Sequence, residues 1–234
     1  MAARCMRLGR LSGMKDLLFP LPRMLLTFLN LARARHIGLQ LCERMDMEEE
    51  KTMQAQEAME ADLRYPIGKF QRPEILTEAQ RREFIDAIAA APARMTAAVA
   101  GLSAAQLDTP YRPGGWTVRQ LVHHVPDSHM NAYMRCKLAL TENEPTIKPY
   151  DEGAWAELVD SKSAIEPSLA LLGNLHERWV LLLRSLGPSD WPRKYRHPEH
   201  GAMMSLETTL ALYSWHGRHH VAHITSLRER NSWR

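Results

Sequence analysis

The chain has 234 residues, 45% hydrophobic and 24% charged, which is the balance of an ordinary globular protein of about one domain plus an appendage and excludes a disordered, collagen-like or membrane chain. Thirty Lys and Arg against 27 Asp and Glu leave +3; eight of the basic and two of the acidic residues fall in the first 44 positions, so the rest is slightly acidic and offers no basic surface for nucleic acid. Three widely spaced cysteines, Cys5, Cys42 and Cys136, supply neither a disulfide framework nor a cysteine-based zinc site.

The first segment with a pattern, from Leu17 to Leu31, is apolar but broken by Pro20, Pro22 and Arg23. Those breaks rule out a spanning helix, which needs roughly 20 apolar residues, and they spoil a secretory signal. The prolines also argue against an amphipathic membrane anchor, although an Arg-rich leader of this kind can mimic a transit peptide. An acidic, Met-rich stretch follows (Met45 to Met53). The reading is a poorly ordered or irregular extension over residues 1–58, with Met59 as a natural alternative start, and a folded domain over residues 59–234.

From Tyr65 onward the periodicity is helical. Thr77 opens an amphipathic run with Phe84, Ile85, Ile88, Ala91 and Met95 on one face, ending near Gly101. A turn-rich stretch, Asp108 to Gly115, leads to a well-marked helix start. Thr117 and Gln120 have capping-box spacing, and Trp116 and Leu121 are placed as a hydrophobic staple; this helix should reach Leu138. A short helix is expected at Glu152–Leu158. A long one should start near Ser168, with Leu169, Leu172, Leu175, Trp179, Leu182 and Leu183 as its stripe, and stop at Gly187-Pro188. Trp191–Met204 reads as an extended loop, and the last helix runs from after Ser205 to about Arg230. No paired strands are expected. The fold class is therefore all-α, a four-helix bundle, with connections too long for a simple up-and-down chain of hairpins.

Seven of the 11 histidines fall in two short stretches, Val122–His129 and Trp215–His223. In the last helix two i,i+4 pairs are available, His216 with His220 and His219 with His223; residues four apart stack on one face, close enough to share a metal. The apolar stripe Leu206, Leu210, Tyr213, Ile224, Leu227 carries His220 with His216 beside it, whereas His219 and His223 lie on a more mixed face. In the second helix His124 shares its stripe with Leu121, Val125, Ser128 and Ala132, while His123 reads as a flank or surface residue. His124, His216 and His220 therefore point inward together. Three imidazoles suit a divalent metal with an open fourth position; without a metal they would leave polar nitrogens unsatisfied at about 1–3 kcal/mol each. His36, His176, His197 and His200 have no partner at ligand spacing and read as surface or loop residues, and Trp116, Trp179 and Trp215 as packing.

The segments Gly114–His124, Asp127–Asn131 and Trp215–Ile224, together with Tyr65–Gly68, Leu107–Tyr111, Pro149–Glu152 and Trp155, resemble the DinB/YfiT-like superfamily, most closely its YfiT-type metal-dependent hydrolases. The resemblance covers about Tyr65 to the C-terminus. It implies a four-helix bundle with one divalent metal per chain, zinc first and nickel or another transition metal next, in a cytoplasmic homodimer acting on a small molecule. By position in the motifs the ligands it implies are His124, His216 and His220. The wider superfamily includes transferases that join a low-molecular-weight thiol such as bacillithiol to electrophiles. One departure is Pro126, which removes a helical hydrogen bond two residues after His124 and should kink the helix there.

Two chemistries fit the same open position: a water activated for hydrolysis, or a thiol deprotonated for transfer to carbon. Asp127, three residues after His124, is the nearest carboxylate by helical geometry and the candidate proton acceptor or orienting group. No Glu stands at the His-Glu-x-x-His spacing, so peptide hydrolysis is disfavoured. A reading from another class is a non-catalytic dimeric bundle that only binds metal.

Overall fold

The structure, a computed structural model, describes residues 44, 45, 47–53, 63–199 and 201–234. The chain divides into two units, Met1–Gln56 and Glu57–Arg234. In the first, residues 47–53 are helical and exposed. The rest of the expected extension, its boundary at residue 58, and Cys5, Cys42, His36 and His200 lie outside the described residues.

The second unit contains α1 (Glu78–Val99), α2 (Ala104–Leu107), α3 (Val118–Thr141), α4 (Glu152–Ala156), a 3₁₀ turn (Asp160–Lys162), α5 (Glu166–Arg184), β1 (Lys194–His197), β2 (Ala202–Ser205) and α6 (Leu206–Arg230). Local chemistry sets the starts. Thr77 with Gln80 caps α1 and Thr117 with Gln120 caps α3, each by a complete reciprocal box. Before α3, the turn Arg112–Gly115 closes with Gly115 N–H donating to the Arg112 carbonyl at 3.0 Å; Pro113 occupies its second position and Gly114 its third, at φ +64°, which a side chain would strain. Ser205 caps α6 by accepting from the Thr208 amide. α5 begins at Glu166, two residues ahead of the expected Ser168, with Pro167 in the first turn where its missing N–H has no partner to lose.

The expectation of an unpaired loop at Trp191–Met204 is corrected. Lys194–His197 and Ala202–Ser205 pair as an antiparallel hairpin, Lys194 opposite Ser205 and His197 opposite Ala202. The signal was present in the alternation of exposed Lys194 and Arg196 with buried Tyr195 and His197, but a strand of four residues is short for periodicity to register.

Each of the four long helices packs mainly on two others: α1 on α6 and α5, and α3 on α5 and α6. The order around the bundle is therefore α1, α6, α3, α5, and two pairs joined in sequence, α1 with α3 and α5 with α6, sit diagonally. A diagonal step cannot be made by a tight hairpin, which explains the long connections over residues 100–117 and 185–205. The same order makes α3 and α6 neighbours. The core has two clusters. One centres on Trp179, Tyr195, Leu206 and Leu210, the other on Leu121, Val125, Leu172 and Ile224. On α6 the histidines fall between the two clusters in sequence, and on α3 His129 does, while His123 and His124 sit within the second. Among the described residues no helix is long and apolar enough to cross a membrane.

Candidate metal centre

Because α3 and α6 are neighbours, His124 meets His216 and His220 across their interface. One ring nitrogen of each lies within 4.8 Å of the other two. The Nε2 atom of His216 is 3.1 Å from Nε2 of His220 and 3.3 Å from Nε2 of His124. Three imidazole nitrogens bound tetrahedrally to one metal at the ordinary 2.0–2.1 Å would lie about 3.3–3.4 Å apart, so the donors stand close to ligand spacing.

The protons on these rings can be assigned from the far end of a hydrogen-bonded chain. His176 Nδ1 is 2.7 Å from the main-chain carbonyl of Ile88, which can only accept, so Nδ1 carries the proton. A neutral His176 must then accept at Nε2, and its partner at 2.8 Å is His129 Nδ1. His129 in turn accepts at Nε2 from His216 Nδ1, at 3.0 Å. This leaves His216 Nε2 bare, pointing at His124 and His220. The chain takes one residue from each long helix: Ile88 from α1, His176 from α5, His129 from α3 and His216 from α6. A ligand histidine that donates its second N–H to a fixed acceptor is held in one tautomer and one orientation.

The neutral state is supported by burial. His176 and His124 are each lowered to about 4, chiefly by desolvation. His129, His216 and His220 are driven well below the usual imidazole value by desolvation and then by the charge of neighbouring histidines. Three uncharged rings turn their Nε2 atoms together, and the single in-plane lone pair of His216 suits one donor, not two. A cation satisfies all three at once, so the residues present fit a divalent metal. Gly217, next to His216, allows this packing: a Cβ there would lie 3.3 Å from the Ala91 Cβ and 3.5 Å from His129 Cε1.

Asp127 does not join this cluster. Its carboxyl is half-buried, raised to about 6 by desolvation and then by the charge of Asp160, and makes no hydrogen bond to the three imidazoles. Several other sequence readings change. His123, expected at the surface, is 6% exposed and hydrogen-bonded to the Ser168 hydroxyl at 2.7 Å, with its other ring nitrogen 3.3 Å from the Ser163 carbonyl. His176, also expected at the surface, is 1% exposed and part of the chain just described, and His197 is buried too. His219 and His223 are as buried as the ligand set. His223 donates to the Arg64 carbonyl at 3.1 Å and stacks on Tyr111, and His219 stacks on Trp215. Pro126 leaves α3 unbroken from Val118 to Thr141, and His124 keeps its aim. His129, in the hydrogen-bonded chain behind His216, is the residue that the inward-face argument passes over; its signal is a place on the α3 stripe with Val125, Ala132 and Cys136, all buried. Cys136 is a buried thiol raised to about 12, and therefore not a nucleophile.

Comparison with known proteins agrees with this architecture. The model of the DinB superfamily matches residues 87–224. Proteins of Bacillus mycoides strain KBAB4 and Bacillus cereus strain B4264, each named "Putative metal-dependent hydrolase", are 56% identical over 172 residues, which is 74% of this chain and 99% of theirs. The solved structure of YfiT from Bacillus subtilis, described as "a probable metal-dependent hydrolase with an unusual four-helix bundle topology", superposes with a TM-score of 0.73 at 50% identity, over 74% of this chain and 99% of that one. With more than half of its length matched by the family's model and these relatives covered almost end to end, the chain belongs to the DinB superfamily.

Proposed function

We propose that this chain is a metal-dependent hydrolase of small molecules in which Nε2 of His124, His216 and His220 holds one divalent metal, zinc first. The observation that carries the reading is the approach of three uncharged imidazoles to 3.1 and 3.3 Å, with the tautomer of His216 fixed from behind. The naming of the relatives and the donor chemistry point the same way. When bound, such a metal supplies Lewis acidity that lowers the pKa of water to about 7.

The chain's own residues supply the rest. His129 and His176 keep the His216 lone pair facing forward, so the His216 ring need neither turn nor lose a proton when the site loads. His216 is the least buried of the three and lines the open side of the site. Asp127, although it does not touch the three imidazoles, is kept as the proposed proton acceptor, because burial raises its carboxyl to about 6. A cytoplasmic homodimer is the assembly proposed with it, following the family resemblance.

The test is metal content per chain by plasma mass spectrometry, on protein purified without added metal or a histidine tag. It is followed by assays on esters and amides with and without free thiol. About one metal per chain and thiol-independent hydrolysis are expected. Turnover that requires a thiol would replace the hydrolase with a thiol S-transferase, and a metal that stays inert to added azide or thiol would make the bundle a binding module.

A further inference from the structure

His216 lines not only the imidazole cluster but also a cavity of about 500 Å³, large enough for a small organic molecule. Arg135, on α3, shares that lining and is 9% exposed. Among the described residues its guanidinium makes no hydrogen bond or ion pair. That is unusual for a guanidinium on a residue this buried, whose charge calls for a partner. Its neighbours along the cavity are hydroxyl groups, those of Tyr150, Tyr213 and Ser128, which carry no compensating charge. The carboxylates that line the same cavity, Asp151, Glu152 and Glu199, are exposed residues at its mouth. Glu152 is raised by desolvation and then by the charges of Glu199 and Asp151.

The cavity thus has a cationic floor and an anionic mouth. An unpaired buried guanidinium presents a fork of N–H donors shaped for a carboxylate. A ligand that also carried negative charge at its outer end would meet three carboxylates there. We infer that this cavity is the substrate site, and that it selects a small organic acid whose single carboxylate docks on Arg135 while a neutral or cationic remainder faces the mouth. This inference rests on the metal-site reading for what happens to the bound molecule, but not for the binding itself.

The test is a calorimetric and NMR titration of the full chain, metal-free and zinc-loaded, with butyrate, 4-aminobutyrate and succinate, beside Arg135→Met and Arg135→Lys. Butyrate and 4-aminobutyrate should bind both forms of the native chain, with succinate weaker. Arg135→Met should weaken binding about tenfold to a hundredfold, the worth of a charge-assisted hydrogen bond, and Arg135→Lys should fall between. Because an unpaired buried charge is removed, the Tm of Arg135→Met should hold or rise. Absence of monocarboxylate binding, binding within about threefold of native in Arg135→Met, succinate binding most tightly, or loss of binding together with a fall in Tm would each overturn the inference. Metal measured on the same samples separates the two readings. A chain that binds butyrate but no metal loses the metal centre and keeps this site, and one that binds metal but no monocarboxylate does the reverse.

Discussion

Two pairs of histidines stand on α6 at the same i,i+4 spacing, and their surroundings differ completely. His216 and His220 turn their Nε2 atoms to within 3.1 Å of each other and meet His124 from α3. His219 and His223 are equally buried, but each lies against an aromatic ring, Trp215 at 4.2 Å and Tyr111 at 3.9 Å between ring centroids. His223 also spends its Nε2 proton on the Arg64 carbonyl. Spacing on one helix brings two rings together. A third donor from a neighbouring helix joins only the inner pair, and there one ring, His216, also has a histidine partner behind it. The outer pair lies against aromatic rings, with no third imidazole from a neighbouring helix among the described residues.

The largest effect should come from breaking the inner set. Zinc in small protein sites is worth about 10–16 kcal/mol, so each of three or four ligands carries roughly 3 kcal/mol, or about a hundredfold in affinity. His124→Ala and His216→Ala should each lose metal by at least that factor in competition with a chelator. His219→Ala and His223→Ala should retain it and show only a lower Tm. Metal retained by His216→Ala, or lost from His219→Ala, would reverse the assignment.

Next in size is the hydrogen-bonded chain behind the inner pair. Removing a partner that orients a ligand histidine typically costs ten- to a hundredfold in metal affinity. His129→Phe should fall in that range, because His216 Nδ1 loses its acceptor. His176→Phe, one bond further back, should cost less. Nitrogen chemical shifts of His216 separate this role from plain packing: the native ring should report a proton on Nδ1, and His129→Phe a mixture of tautomers. A native His216 that already titrates between tautomers would remove the fixed polarity of the chain.

How much of this is legible in the sequence follows from the reach of each residue's partners. The α3 cap depends on residues 116–121 and is fully legible, as is the inward face of α6, because a helix carries its own periodicity. His176, His123 and the outer pair read as surface or mixed positions. Their partners come from distant elements (the Ile88 carbonyl, Ser168, the Arg64 carbonyl, the Tyr111 ring), and one helix's pattern does not contain them. Arg135 escapes for the opposite reason. It lies three residues after Ala132 on the buried stripe of α3, where a charged residue looks like an interruption of the pattern and not a feature of a cavity. Membership of residues 87–224 in the superfamily is legible because its motifs are local in sequence.

Both pairs should register in acid, which separates burial from ligation. Above pH 6.5 folded and unfolded imidazoles are alike neutral. Below it the unfolded chain takes up protons that buried rings refuse until about pH 4 for His176 and His223 and about pH 3 for His219. Stability of the metal-free protein should therefore fall as pH drops from 6.5 toward 4. Each pH unit in that window is worth about 1.4 kcal/mol per ring, so His176 alone would contribute roughly 3 kcal/mol. Urea midpoints at pH 7 and pH 5 measure it. His223→Phe should flatten this acid limb without touching metal affinity, and equal midpoints at both pH values would contradict the neutral state assigned to the rings.

The smallest effect concerns Pro126, the one local feature set against His124. A proline inside a helix removes a hydrogen bond and usually costs about 3 kcal/mol or more, but here the ring is buried against neighbours. In Pro126→Ala the restored bond to the Val122 carbonyl and the better helix former oppose the loss of buried ring carbons, so stability should change by no more than about 1–2 kcal/mol. The position of His124 is set by α3 packing along α5 and α6 on both sides of residue 126, and the helix runs unbroken through it. Metal affinity should therefore stay within a factor of about three, well short of the loss expected at His129. A tenfold loss in Pro126→Ala would mean that the proline, and not the interhelical packing, aims His124 at its partners.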